Sequence, residues 1–204
     1  MSVDRRGQAY TLEGVAAGLV LVSALLFAFQ AVSVTPTVTG AVNAESRAQL
    51  QTETTDTLGA AHSRGALKRT VLNYNNSTET FAGADPSGNA SSTEVGYGLD
   101  DIPGEFGAMM NQTFEQRGFA FNIHVEYLDE DDPSETNRRP VALRGEPTAD
   151  TVSASATVAL YDSDRLSNGY TLAEVDATSD ESYFASDVDS GELFNIVTVE
   201  VVVW

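Results

Sequence analysis

The side chains best suited to catalysis or metal binding are scarce in this sequence. Only two histidines are present, His62 and His124, and they do not form a ligand motif such as H-x-x-x-H. The absence of cysteine excludes thiol nucleophiles, disulfides and thiolate metal sites. No G-x-S-x-G, P-loop or G-x-G-x-x-G motif occurs. We therefore expect a protein that is not an enzyme and that carries no cofactor.

Two acidic segments could supply oxygen ligands to a calcium ion. The first is the run from Asp129 to Asp132 with Glu135 nearby, which lacks the spacing and the glycine of an EF-hand loop. The second, Asp162-Ser163-Asp164, resembles the start of such a loop but continues into Arg165 without a correctly placed bidentate glutamate. Both patterns favour solvated acidic loops, so we predict no metal site.

The charge balance of the chain is strongly acidic. It has 30 acidic and 11 basic residues, a formal net charge of -19, and Lys68 is its only lysine. Self-repulsion of this size opposes compaction at ordinary ionic strength, whereas near 1 M salt the Debye length falls to about 3 Å and screens it. The composition favours a halophilic cell over a mesophilic one. Nucleic acid is not an expected partner, because no basic face can displace counterions from phosphate.

Residues 14–34 form an apolar stretch long enough to cross a lipid bilayer. These 21 residues carry no charge, and only Ser23, Gln30 and Ser33 are polar. At 1.5 Å per residue the stretch would make about 31 Å of helix, against a hydrocarbon core of roughly 30 Å. We predict a retained transmembrane helix at 14–34. A signal peptide cleaved near Ala31-Val32-Ser33 is the alternative.

The flanking charges predict the orientation of this helix. Arg5 and Arg6 precede it, whereas the next cation, Arg47, lies thirteen residues beyond its end. By the positive-inside rule, residues 1–13 form a cytoplasmic leader and the chain from residue 35 onward is extracellular. The sequence thus predicts a single-pass protein of the cell membrane with an extracellular C-terminal domain.

Four Asn-x-Ser/Thr sequences agree with an extracellular location. Their acceptor residues are Asn75, Asn76, Asn89 and Asn111, and the first two sequences overlap. Glycosylated sequences of this kind lie on the surface of exported proteins. A chain rich in Ser, Thr and Asn also produces them by chance, so each is a candidate glycosylation site.

The extracellular α+β domain is predicted to span 43–204, after a linker at 35–42. A proline, a glycine and several β-branched residues make the linker segment poor helix material. Apolar residues at three- and four-residue steps then predict a long amphipathic helix over 43–73, loosened at Gly59 and Gly65.

The remainder of the domain is predicted to contain a loop, a short helix and an antiparallel sheet. Residues 74–101 show no period and indicate a long exposed loop, and helical spacing returns from Ile102 to Phe114. Alternating patterns predict strands over 119–127, 152–161 and 193–204, with a short edge strand at 140–143. Both faces of the last strand are largely apolar, which predicts a central position in the sheet.

The sequence before the apolar stretch resembles the class III signal of archaeal type IV pilin-like proteins. Residues 4–13 read DRRGQAYTLE and run directly into the apolar residues. The resemblance implies that a prepilin peptidase cuts between Gly7 and Gln8, and that the apolar helix stays as an anchor or packs with pilin-like subunits. It also implies an assembly role for Glu13, which would be the sixth mature residue where the family usually has its glutamate at the fifth.

Three functions remain open from the sequence. The whole arrangement looks like an uncharacterised family of haloarchaeal membrane proteins with pilin-like N-termini. This resemblance implies a pilin-like or pseudopilin-like subunit of a cell-surface or secretion apparatus. The second function is a monomeric anchored ectodomain that binds a partner or ligand. The third is an ectoenzyme or ligand receptor.

Overall fold

The computed structural model describes most of the domain and two short parts of the N-terminal region. The described residues are 17–21, 37–84, 95–98, 102–148, 150–177, 183–189 and 191–204. The chain divides into two compact units, Met1–Glu45 and Ser46–Trp204. Residues 17–21 are helical, and the side chains of Leu19, Val20 and Leu21 are between 64% and 68% exposed. Within the described ranges, no helix combines the length and apolar character needed to span a bilayer.

Two consecutive helices cover residues 37–72, interrupted at residues 64–65. Helix α1 spans Thr37–Ser63 and helix α2 spans Ala66–Leu72. The break predicted at Gly65 is confirmed, because this residue has a φ of 67°, a left-handed conformation that glycine adopts without steric cost. Gly59 stays inside α1 and does not interrupt it. Residues 37–42 are helical, which corrects the predicted extended linker: extending an existing helix needs no new nucleus, so weak helix formers can join it.

The short helix predicted before the sheet is confirmed. Helix α3 spans Gly104–Thr113 and continues into a 3-10 turn over Glu115–Arg117. Buried side chains recur at helical spacing along this segment: Phe106, Met110 and Phe114, the last directly after α3. A further helix, α4 at Leu172–Asp176, is only five residues long and has a capping box between Thr171 and Glu174.

The main sheet is antiparallel and has five strands. The strand bounds are Val95–Gly96 for β3, Phe121–Leu128 for β4, Thr136–Leu143 for β5, Val152–Tyr161 for β6 and Leu193–Val203 for β7. Their order in the sheet is β3-β5-β4-β7-β6. The predicted central position of β7 is confirmed, since it pairs with β4 and β6. The predicted edge strand at 140–143 is corrected: β5 has eight residues and lies between β3 and β4. Pro140 is accommodated there because the β4–β5 register shifts beside its partner His124.

Parts of the predicted loop 74–101 are folded into the core, which corrects the expectation of a wholly exposed loop, whereas Ser77, Thr78 and Glu79 are exposed. Strands β1 (Tyr74–Asn75) and β2 (Thr80–Phe81) form a small hairpin. Tyr74, Phe81 and Tyr97 are each at most 2% exposed. The Tyr74 ring makes edge contacts with Phe81 and Tyr183 at centroid distances of 5.5 and 5.4 Å. These aromatic residues have no sequence period because they meet across different segments.

The hydrophobic core lies between the helices and one face of the sheet. The helices contribute Leu50, Leu58, Leu67 and Phe106, and the sheet contributes alternate residues such as Ile123 and Val199, all buried. An α+β fold with antiparallel sheets is therefore confirmed. The other face of the sheet has no described element packed over its centre, and the side chains at that centre are half-buried or exposed.

Candidate functional surface

The uncovered face of the sheet presents a band of mostly polar side chains whose positions follow from the strand register. One row across β5, β4, β7 and β6 consists of Pro140, His124, Glu200 and Ser155. The neighbouring row consists of Arg138, Glu126, Thr198 and Thr157. We call this band of eight residues the open sheet face. Successive side chains of a strand point to opposite faces, so the polar residues that alternate with core residues gather here.

Arg138 lies at the centre of the open sheet face and contacts both of its glutamates. Its Nη2 forms an ion pair with Oε2 of Glu200, and its Nε lies 3.7 Å from Oε1 of Glu126. The three side chains are 28% to 49% exposed, so solvent screens these pairs. Pairs of this kind contribute up to about 1 kcal/mol to stability, and their charges remain available to a partner.

His124 lies beside this ion-paired group, directly across from Glu200. Burial lowers the pKa of His124, and the positive charge of Arg138 lowers it further, although Glu126 acts in the opposite direction. Its Nδ1 is buried and makes no hydrogen bond to a described residue. His124 therefore places an imidazole beside the Arg138–Glu200 ion pair on the open sheet face. No described side chain orients it as a triad would require.

The other predicted chemical residues are dispersed. His62 lies exposed near the end of α1. In the β4–β5 loop, Asp129 accepts hydrogen bonds from the Asn137 amide and from the backbone N–H groups of Asp131 and Asp132, which lower its pKa. Within the described part of the chain, no group of three or more acidic or histidine side chains is arranged to hold a metal ion.

The carboxylates of Asp162 and Asp164 lie in different environments. Asp164 pairs with Lys68 at 2.6 Å, whereas Oδ1 of Asp162 is buried and has no hydrogen-bond partner among the described residues. Burial raises the pKa of Asp162, and four neighbouring carboxylates raise it further: Asp187, Asp176, Asp189 and Glu192. Sequence spacing could not show this crowding, because three of those neighbours lie more than twenty residues away.

Helix α3 carries a surface groove that sequence reasoning missed. The groove has a volume of about 480 Å³ and is lined by small residues, including Gly107 and Ala108, and by the amides of Asn111, Gln112 and Gln116. The only feature of the sequence that indicates this groove is the presence of glycines within a short helix. The amide of Asn111 is already engaged, because it donates to Glu115 and accepts from Gln116.

The candidate glycosylation sites lie in different environments. Asn75 is half-buried at the β1–β2 hairpin, where its Oδ1 accepts from the backbone N–H of Ser77. Asn76 is 1% exposed and accepts a hydrogen bond from Asn168. Asn111 lies in α3, and Asn89 is outside the described residues. The processing and assembly residues Gly7, Gln8 and Glu13 are also outside them.

The chain matches a known protein family over nearly its full length. Residues 6–203 match the model of a family described as a family of unknown function (DUF7288). No curated protein and no solved structure matches the chain. The expectation of an uncharacterised family is confirmed, whereas the haloarchaeal origin and the pilin-like signal stay predictions. The matched range includes the apolar stretch 14–34 as well as the sheet.

Proposed function

The chain belongs to the DUF7288 family, and we propose that it is a non-enzymatic surface protein anchored in the cell membrane by its N-terminal segment. Within that role, we propose a pilin-like or pseudopilin-like subunit of a cell-surface or secretion apparatus. Its orientation would place residues 1–13 in the cytoplasm and the α+β domain outside.

Residues 17–21 are the main support for anchoring. They are helical and expose Leu19, Val20 and Leu21, and they lie inside an uncharged stretch of 21 residues. A helix that is apolar in this way needs lipid or another apolar helix around it. The stretch also lies within the family match, so it is part of the sequence that defines the family and not an addition to this chain.

The α+β unit supports a structural role over an enzymatic one. Its helices cover one face of the sheet, and its open sheet face carries ion pairs and hydroxyl groups. Charged groups that are partly exposed suit reversible contacts with other proteins. A monomeric ectodomain that binds a ligand is the second candidate, and the 480 Å³ groove beside α3 favours it.

Processing at Gly7 tests the pilin-like role. We expect native protein to begin at Gln8 and to remain in the membrane fraction, because the cut would remove the leader and keep the apolar stretch. Replacing Gly7 by a bulky residue such as Leu should block cleavage, since a prepilin peptidase site requires a small residue there. Mass spectrometry of the intact chain measures the difference of seven residues.

Recovery in sheared surface filaments and retention in the membrane fraction are two further readouts of this experiment. Glu13→Gln serves as the matched variant, because it should leave cleavage intact and reduce recovery of the protein in sheared surface filaments. A wild-type chain that still begins at Met1 would exclude pilin-like processing and leave a plain anchor. Loss of the protein from the membrane fraction would exclude the anchor itself.

The burial of the sequons predicts which site carries glycan. We expect modification at Asn75 and not at Asn76, because a glycan on a side chain that is 1% exposed would have to displace the core. The overlapping sequons can be separated: Ser77→Ala destroys only the first and Thr78→Ala only the second. Glycopeptide mass spectrometry should show that the modification is lost in Ser77→Ala and retained in Thr78→Ala. The reverse pattern would contradict this assignment.

A further inference from the structure

Strand β6 ends the sheet, and no described strand pairs with its outer edge. It is the last strand in the order, and its partner in the sheet is β7. An edge strand directs the N–H and C=O groups of alternate residues outward. Two side chains of α1 identify which residues these are: Arg47 donates to the carbonyl of Thr151, and Gln51 donates to that of Ser153. The odd-numbered residues therefore face outward.

Three further residues of β6 direct their backbone N–H and C=O groups outward and are not contacted by the side chains of Arg47 and Gln51. They are Ser155, Thr157 and Ala159, and no described residue forms a backbone hydrogen bond to them at the outer edge. Ser155 and Thr157 are exposed. Natural edge strands are commonly protected by lysine, proline or a bulge. Residues 152–161 contain no charged residue and no proline, and the register shift comes only at the Leu160–Tyr161 end.

The two ends of β6 carry opposite charge. Arg47 lies at the first end, where it contacts the carbonyl of Thr151 and forms no ion pair with a described carboxylate. At the other end lies Asp162, crowded by Asp176, Asp187 and other carboxylates. An antiparallel pairing of two identical strands brings the first end of one copy beside the second end of the other.

We propose that β6 pairs antiparallel with β6 of a second copy of this chain, across a two-fold axis near Thr157. Ser155 then lies opposite Ala159 of the other copy, and Thr157 lies opposite itself. Three such pairs, each exchanging two bonds, give about six hydrogen bonds. Arg47 of each copy approaches the Asp162 group of the other, so the contact supplies a cation where one is lacking. The contact is isologous and closes as a dimer.

This interface goes beyond the proposed function, because it does not involve the N-terminal segment. Assembly through the apolar stretch and pairing through β6 are separate contacts, and either can fail without the other. The net charge of -19 on each copy opposes association, so the pairing should need about 1 M salt, where charges are screened beyond about 3 Å.

Single-cysteine variants of the full chain test the proposal, since the native chain has no cysteine. Thr157→Cys places two thiols about 5 Å apart across the axis. Thr198→Cys is the matched control: Thr198 is the β7 partner of Thr157 on the same face, with the two hydroxyl oxygens 3.2 Å apart. Its two copies would lie three strand spacings apart, about 14 Å.

We expect a bis-maleimide shorter than that separation to cross-link the Thr157→Cys variant into a covalent dimer in about 1 M salt. The same reagent should give no dimer band with the Thr198→Cys variant. Equal cross-linking of both variants would overturn the proposal in favour of face-to-face stacking of the sheets. Absence of the Thr157→Cys dimer would also overturn it, and would leave assembly through the N-terminal segment untouched.

Thr157→Pro provides an independent measurement of the same contact. The N–H of Thr157 points away from β7, so proline there removes no bond within the sheet and is tolerated as on other edge strands. It removes two of the intermolecular hydrogen bonds at the axis. Light scattering should show a monomer for Thr157→Pro and a dimer for wild type, and a dimer for both would overturn the proposal.

Discussion

Replacing Gly107 by alanine is expected to prevent stable folding of the α+β unit. A Cβ at this position would lie 1.6 Å from the carbonyl oxygen of Ile102 and 2.5 Å from its carbonyl carbon. The obstacle is backbone, so no side chain can rotate away to make room. Overpacking in cores usually costs about 1 to 3 kcal/mol, and a backbone clash at a buried helix should exceed that range. Denaturant unfolding of the purified chain in molar salt measures the loss.

Gly59 provides the control for this substitution. It lies inside α1, and a Cβ there would meet nothing within 4 Å. Gly59→Ala should therefore raise the free energy of unfolding by about 0.5 to 1 kcal/mol, because alanine loses less conformational entropy in a helix than glycine. Similar destabilisation by both substitutions would show that the packing of α3 against Ile102 is not the cause.

The helices and strands that the sequence predicted well are those in which apolar residues recur at regular spacing within a single element. Strand β7 shows apolar residues on both faces over eleven residues, and that pattern correctly gave its central position. Residues 119–127 alternate, and the structure places Phe121, Ile123 and Val125 in the core. Helix α3 follows from the spacing of its buried residues. In each case one neighbouring surface determines which residues are apolar.

The features that sequence could not predict depend on contacts between distant segments. Asn195 is fully buried, and its amide bonds to the backbone of Leu128 and Ser186. Its polar side chain therefore forms hydrogen bonds with backbone groups that lie up to 67 residues away in the chain. The open sheet face has the same origin, because His124 meets Glu200 only through the β4–β7 register. Sequence periods identify which residues leave the core but not which strands bring them together.

Among the described residues, most carboxylates lie outside the ion pairs that the structure forms. Six described cations form ion pairs with carboxylates: Arg64, Lys68, Arg69, Arg117, Arg138 and Arg144. The group around Asp162 concentrates several carboxylates beside the end of β6. Repulsion of this kind acts over about 10 Å at 0.1 M salt and over about 3 Å at 1 M.

The folded state is therefore expected to be lost as salt is lowered from about 1 M to about 0.1 M, where the Debye length lengthens from about 3 to about 10 Å. Thermal unfolding followed by circular dichroism should lose its cooperative transition over this range. Unchanged melting would contradict the halophilic interpretation. Two matched Asp→Asn variants then locate the source of the effect, because the structure gives their carboxyl groups opposite shifts in pKa.

Asp162→Asn should stabilise the chain at neutral pH, and Asp129→Asn should destabilise it. Burial and facing carboxylates raise the pKa of Asp162, so folding binds protons there and stability falls as pH rises above the ordinary value of 3.8. Hydrogen bonds lower the pKa of Asp129, so its contribution is present above 3.8 and is lost as pH falls through the lower folded value. The gain from Asp162→Asn should shrink as salt rises, because screening already weakens the repulsion it removes. Melting temperatures at both salt concentrations provide the measurement, and shifts of the same sign in both variants would contradict this account of the acidic surface.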